Sequence, residues 1–296
     1  MTIAISLKVN DGLVLAADSA STLIAQAPSG EPAVINVYNN ANKIFNLRKG
    51  LPIGATTWGA GSIGPASIST LAKDLRRRFT GDDPTYPEWH LDPQSYSILS
   101  VAERLREFMY EEHYLRSVES WPEGVDRPSL GFVVAGYSAG TPMAEEYQIV
   151  IDRGECGPPA LLRPVDDSGM TWYGQPEAIS RLIFGFAPRM PQVLGEHLGV
   201  PPDQIGPAME VLTNALAWQL VQPAMPFQDA IDLAEFLVDL TIKTSRFLPG
   251  APTVGGEIEV AAVSKHEGFK WIKRKHYFSN ELNPHDFRPK VEHDES

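Results

Sequence analysis

The feature that most constrains this chain is its opening, TIAISLKVNDGLVLAADS, residues 2–19. Ile3, Ile5, Leu7 and Val9 recur with a period of two, which predicts a strand with one apolar face. Asn10, Asp11 and Gly12 form a hairpin signal, because such residues tolerate the backbone of a tight turn. LVLAADS then predicts a returning strand that ends at Asp18. The chain starts antiparallel, and its second strand brings Asp18 back towards Thr2.

The remainder alternates in blocks. After the polar stretch APSGEPA, VINVYNNANKIFNL resumes extended character around Lys43, and LPIGATTW predicts a further strand. SISTLAKDLRRRF and YSILSVAERLREFMYEEHYLRS carry apolar residues at helical spacing. SLGFVVAGYS and EEYQIVIDRG return to strand, and EAISRLIFGF to helix. Residues 188–225 carry helical pattern broken by VPPD and VQPAMP. FQDAIDLAEFLVDLTIKTSRF predicts a long helix and GGEIEVAAVSKHEGFKWI a closing hairpin. Segregated strands and helices predict an α+β fold rather than strict β-α alternation. Residues 1–273 read as one domain with a helical insertion at about 188–225, and 274–296 as a polar C-terminal extension.

Charge and cysteine content narrow the function. A net charge of −12 argues against nucleic acid or an anionic membrane as a partner. No apolar run approaches the roughly 20 residues of a membrane span. The single cysteine, Cys156, permits no intrachain disulfide. Together with the missing signal peptide, this points to the reducing cytoplasm. Cys156 lies in the turn-rich stretch DRGECGPP, without the helix start or basic cluster that activates a thiol.

WGAGSIG, residues 58–64, contains the G-x-G-x-x-G of a dinucleotide turn at Gly59, Gly61 and Gly64. That fingerprint needs a following parallel strand with an acidic residue at its end. Asp82 and Asp83 lie at a suitable distance, but RRRFTG before them is no buried strand and Pro84 follows. A tight strand-to-helix turn, with glycines for positive φ and close backbone approach, accounts for the motif better. We expect no cofactor.

Thr2 offers different chemistry. A small residue after the initiator methionine permits removal of Met1. The mature threonine then carries a hydroxyl nucleophile and an α-amine, whose usual pKa of about 7.7–8.0 suits a base near neutrality. Such a residue needs a cation to keep the amine neutral, an anion to fix that cation, and a backbone donor for the oxyanion. Asp18, Lys43 in NANKIF and the amide of Gly61 supply one candidate each. Each also has an ordinary reading: a common second residue, a strand-end cap, a solvated strand lysine and a turn glycine.

The combination resembles the proteasome β-type subunits of the N-terminal nucleophile hydrolases, and in particular simpler bacterial members. The opening matches the family's catalytic threonine strand, with DG-L-V-LA-A-D after it. NANKIFNL matches the catalytic lysine segment, and Ala60-Gly61 the pair whose glycine amide forms the oxyanion hole, with Gly59 as the alternative register. The match is specific over residues 2–75, weaker over 129–187 and faint near VGGEIEVAAV. It implies a four-layer αββα sandwich of two antiparallel sheets flanked by helices. It further implies a threonine peptidase without a propeptide, acting on peptide or unfolded protein, assembled as a ring-like homo-oligomer and open to an ATP-dependent unfoldase.

Three departures bear on activity. Tyr173 in WYGQP stands where the family has a serine, Ala251 and Val254 in APTVGG stand at polar family positions, and Ala20 replaces an arginine. These changes imply altered proton handling, another substrate such as a small-molecule amide, or a catalytically silent assembly protein. A binding module is a further alternative. Of the remaining features, His276, His285, His293, Asp286 and Asp294 match no metal-ligand spacing, so no metal is expected. The run LRRRF at 75–79 reads as a solvated helix face or a subunit contact.

Overall fold

Two antiparallel sheets stack face to face, each covered on its outer side by helices, in the computed structural model of the chain. The structure describes residues 2–26, 32–119, 121 and 127–276. The first half contributes β1 (Ile3–Val9), β2 (Gly12–Ala17), β3 (Ser21–Gln26), β4 (Pro32–Tyr38), β5 (Ile44–Asn46) and β6 (Ile53–Gly59). Two short strands, β7 (Ser62–Ile63) and β8 (Ala66–Ser67), lead into helix α1 (Ile68–Thr80). Helix α2 (Ile98–Arg106) runs on through a wider π-helical segment, Glu107–Tyr114, into α3 (Leu115–Val118). Then come β9 (Leu130–Tyr137), β10 (Ala144–Asp152), β11 (Glu155–Cys156), β12 (Ala160–Leu161) and β13 (Gly169–Gly174). Helices α4 (Glu177–Phe184), α5 (Met190–Glu196), α6 (Pro202–Leu216) and α7 (Phe227–Phe247) precede the closing hairpin β14 (Glu259–Ser264) and β15 (Gly268–Lys273).

One sheet has the order β13-β1-β2-β14-β15, the other β11-β10-β9-β6-β5. The period of two in β1 becomes two faces. Ile3, Ile5, Leu7 and Val9 pack with Ile179 and Ile183 of α4 and Leu237 and Val238 of α7. Ala4 faces the second sheet, in a cluster with Leu13, Leu15, Val133, Ala135 and Val263. A third cluster joins the outer face of the second sheet to α1 and α2, through Leu75, Phe79, Val101 and Leu105 against Phe132 and Ile149. These three apolar interfaces make the expected four-layer αββα sandwich. Ser6 and Lys8 also point between the sheets and are buried, which alternation alone does not predict. Their partners come from distant strands and loops: Ser6 Oγ donates to Glu146 Oε1 at 2.6 Å, and Lys8 Nζ to the Val165 carbonyl at 2.8 Å.

Helix α1 bears on two stretches of the sequence. It is capped by Ser67, which accepts from the Thr70 N–H, and ends at Gly81 in the left-handed conformation, with the Gly81 and Asp82 N–H groups on the Arg78 and Arg77 carbonyls. Asp82 therefore closes a helix and ends no parallel strand, in keeping with the rejection of a dinucleotide turn on the sequence. The basic run at 75–79 is not wholly solvated either. Arg78 is buried and pairs in bidentate fashion with Glu112, at 2.7 and 2.9 Å. Its guanidinium also lies 3.6 Å from the ring centroid of Tyr86, with Trp89 and Phe108 nearby.

Truncating Arg78 strands the Glu112 carboxylate and empties an aromatic cage. Arg78→Ala is expected to lower stability by about 3 kcal/mol in urea denaturation. Arg78→Lys should recover less than half of that loss, because a point charge reproduces neither the fork nor the stacking.

Candidate active site

The β1–β2 hairpin does what its sequence suggests. Ala4 pairs with Ala17, so Ile3 comes opposite Asp18 and Thr2 lies one residue further at the same end of the sheet. The Asp18 N–H donates to the Ile3 carbonyl at 3.2 Å, and the Ile3 N–H donates back to Asp18 Oδ1 at 3.0 Å. Asp18 is fully buried, and its second oxygen, Oδ2, accepts from the Ala20 and Gly255 N–H groups, each at 3.0 Å. Lys43, just before β5, completes the set with its Nζ 2.5 Å from Asp18 Oδ1. The carboxylate thus ties the start of β1, the end of β2, the Lys43 side chain and the loop before β14.

Lys43 is itself almost fully enclosed. Burial pushes its pKa below the ordinary lysine value; the Asp18 carboxylate opposes that shift, and Glu259 opposes it more weakly. A lysine ammonium is thereby made more acidic while remaining in contact with an anion.

Thr2, Lys43 and Gly61 line one cavity of about 820 Å³, together with Ala20, Ser21 and Trp58. Gly61 is not at the helix start, as its motif suggested. β6 ends at Gly59, which has φ +85° and pairs with Leu130, and the β7–β8 hairpin intervenes before α1. Gly61 stays close to the helix because its carbonyl accepts the Ile68 N–H at 3.0 Å. The Ala60 N–H is committed to the Ser129 carbonyl. The four expected residues Thr2, Asp18, Lys43 and Gly61 are therefore gathered around one end of the sandwich, Asp18 beneath the cavity and the other three on its wall.

The departures also find their places. Tyr173 sits on β13 opposite Ala4 and stacks on Trp58, with ring centroids 3.8 Å apart and planes 8° from parallel. Its hydroxyl is buried without a hydrogen-bond partner among the described residues, and burial raises its pKa. Val254 packs in the apolar cluster under β1, and Ala251 is exposed, so neither offers a polar atom to the site. Ala20 is buried on the cavity wall. Cys156 lies away from this cavity, and burial raises its thiol pKa against the opposing effect of Arg106.

Two features were not read from the sequence. Strand β13 borders β1, and Gly174 lies where a Cβ would stand 1.9 Å from the Thr2 carbonyl oxygen. Its φ of +97° and the Gln175 N–H bond to that carbonyl, at 2.8 Å, fix the backbone of Thr2. The second feature is a buried pair of Glu259 and Lys275, beside Lys43. The glycine in WYGQP was the available signal for the first; the second had no local mark.

Residues 285, 286, 293 and 294, weighed as metal ligands, lie outside the described residues, as does Met1. Among the described residues no group of three or more His, Cys, Asp or Glu side chains is arranged to hold a metal ion, and no helix is long and apolar enough to cross a membrane.

The chain matches no protein-family model and no curated protein. Its architecture is similar to that of the Anbu (Gly-1) mutant from Hyphomicrobium sp. strain MC1, with a TM-score of 0.51 at 14% identity, over 93% of this chain and 86% of that one. Anbu is a bacterial proteasome-like protein of the N-terminal nucleophile hydrolase type, and at this identity the likeness is one of fold.

Gly174→Ala introduces both a positive-φ side chain and a clash with the Thr2 carbonyl, whereas Gly140→Ala, also at positive φ, meets open space. The first should lower the melting temperature markedly more than the second, whose cost is limited to about 1 kcal/mol of backbone strain. Thermal unfolding of the two variants side by side checks this.

Proposed function

We propose that the chain is an N-terminal threonine hydrolase of proteasome type that cleaves amide bonds, with peptide as its substrate. The observation that carries this reading is the Asp18 carboxylate, which holds both the Ile3 N–H and the Lys43 ammonium at the edge of a cavity lined by Thr2. After Met1 is removed, the α-amine of Thr2 accepts the proton of its own hydroxyl, directly or through one water. The oxygen attacks the amide carbonyl, and the Gly61 N–H donates to the tetrahedral oxyanion. Collapse breaks the C–N bond, and the α-ammonium returns its proton to the leaving amine. Water activated by the same amine then hydrolyses the ester and regenerates Thr2. Lys43 lowers the amine pKa by its charge, and Asp18 orients Lys43.

A second reading, a silent assembly protein on the same fold, draws on Val254. Its side chain is packed among apolar residues where the resembling family has a polar group. The apolar Trp58–Tyr173 stack beside the cavity favours the same reading. We also propose assembly as a ring-like homo-oligomer in the cytoplasm, which light scattering tests; a clean monomer overturns the ring.

Intact mass with and without a β-lactone or epoxyketone electrophile decides between hydrolase and scaffold. The hydrolase loses Met1 and gains one adduct, which Thr2→Ala abolishes. Lys43→Ala should slow labelling by at least about a hundredfold while the protein still unfolds cooperatively. Retention of Met1, or a processed Thr2 that never labels, refutes the hydrolase.

A further inference from the structure

Behind the Asp18–Lys43 pair lies a second set of charges that the chemistry above does not use. Lys275 follows β15, and its side chain turns back under the cavity with only a tenth of its surface exposed. Its ammonium has three N–H groups and meets three acceptors: Ser19 Oγ at 2.6 Å, the Ala41 carbonyl at 2.6 Å and Glu259 Oε2 at 3.4 Å. Each acceptor belongs to a part of the site. Ser19 follows Asp18 directly, its hydroxyl donates to the Glu257 carbonyl and its carbonyl accepts the Ala41 N–H. Ala41 lies in the segment 39–43 that forms one wall of the cavity and ends at Lys43. Glu259 opens β14, is 1% exposed, and accepts the Lys43 backbone N–H at 3.4 Å.

The other charged groups nearby are few. Arg274 and, from α1, Lys73 and Arg76 line a small cavity that Glu259 also lines. Glu257 and Asp18 act on Lys275, and Lys275 acts on Lys43. A buried carboxylate and a buried ammonium would each be costly alone, so the pair and its hydrogen bonds are mutually dependent.

We propose that Lys275 is a positioning residue of the Thr2 site, and that its buried contact with Glu259 holds residues 39–43 and sets the charge balance around Lys43. The proposal rests on the Thr2 reading. It predicts the direction of two effects. Without Lys275 a neighbouring cation is lost, and Lys43 should keep its proton to higher pH. Without the Glu259 charge a neighbouring anion is lost, and Lys43 should release its proton at lower pH. The basic limb of the acylation profile, where Lys43 ceases to be an ammonium, should move in the same two directions.

The test uses the processed full chain and its Lys275→Met, Glu259→Gln and doubly substituted variants. The rate of β-lactone labelling of Thr2 is followed from pH 6 to 11, and kcat and KM are measured on a fluorogenic peptide. The expected result is a loss of about tenfold or more in kcat for each single variant, with KM little changed. The basic limbs should shift up for Lys275→Met and down for Glu259→Gln, and the neutral double variant should lie between them. Profiles that superimpose on the parent, with equal loss in all three variants, overturn the proposal. The ε-¹⁵N lysine NMR signal of Lys43, assigned with Lys43→Met, gives the same titration without activity. If the parent never labels but the Lys43 signal still moves in these two directions, the Thr2 chemistry is lost and the charge pair stands. If the signal does not move, the charge pair fails whatever Thr2 does.

Discussion

The structure around the site depends on one fully buried carboxylate. Asp18 accepts from the N–H groups of Ile3, Ala20 and Gly255 and from the ammonium of Lys43. A charge with no water costs several kcal/mol unless its lone pairs are filled. Here they are filled by groups from the start of β1, the chain after β2, the loop before β14 and the segment before β5. Strand pairing brings the first three of these pieces together, and the carboxylate ties Lys43 to them. Removing the carboxylate would leave an ammonium and three amides facing each other.

The hairpin and the order of Thr2, Asp18, Lys43 and Gly61 were legible because they depend on local rules. A period of two, a turn of Asn, Asp and Gly, and a strand end opposite the chain start suffice to bring Asp18 to Thr2. The α+β class followed from blocks of strand and helix, whereas the four layers were implied by the family resemblance. What was not legible has a different character. Strand β13 is a short edge strand of Gly169–Gly174 whose burial does not alternate, so no period marks it. Gly61 was placed at a helix start because two residue pairs, Ser62–Ser67 and Ile63–Ala66, form a ribbon too short to leave a pattern. Arg78 looks like its neighbours Arg76 and Arg77, although its spacing from Leu71 and Leu75 puts it on the buried face of α1. The acidic partner and the aromatic rings that make its burial tolerable come from elsewhere in the chain.

The departures from the family pattern acquire a physical meaning when seen in place. Where the family it resembles has a serine and two further polar groups, this chain has a Tyr173–Trp58 stack, an apolar Val254 and an exposed Ala251. These three positions bring few polar side-chain atoms, whereas polar groups gather around Asp18 and Ser19, in Glu259, Lys275 and the main chain of residues 255–257. Gly256, with φ +77°, lets that main chain pass within van der Waals reach of Asn39 and Ser19, where a Cβ would stand 2.5 Å from the Asn39 carbonyl oxygen.

The span of the Lys275–Ser19 bond, 256 positions, has a consequence for how the molecule comes into being. The ribosome delivers Thr2 and Asp18 first and Glu259 and Lys275 last. β2 cannot acquire its β14 neighbour, nor Asp18 its Gly255 amide, until nearly the whole chain has emerged. Thr2 therefore spends most of synthesis without the β14 strand and the Glu259–Lys275 pair that later pack behind Lys43.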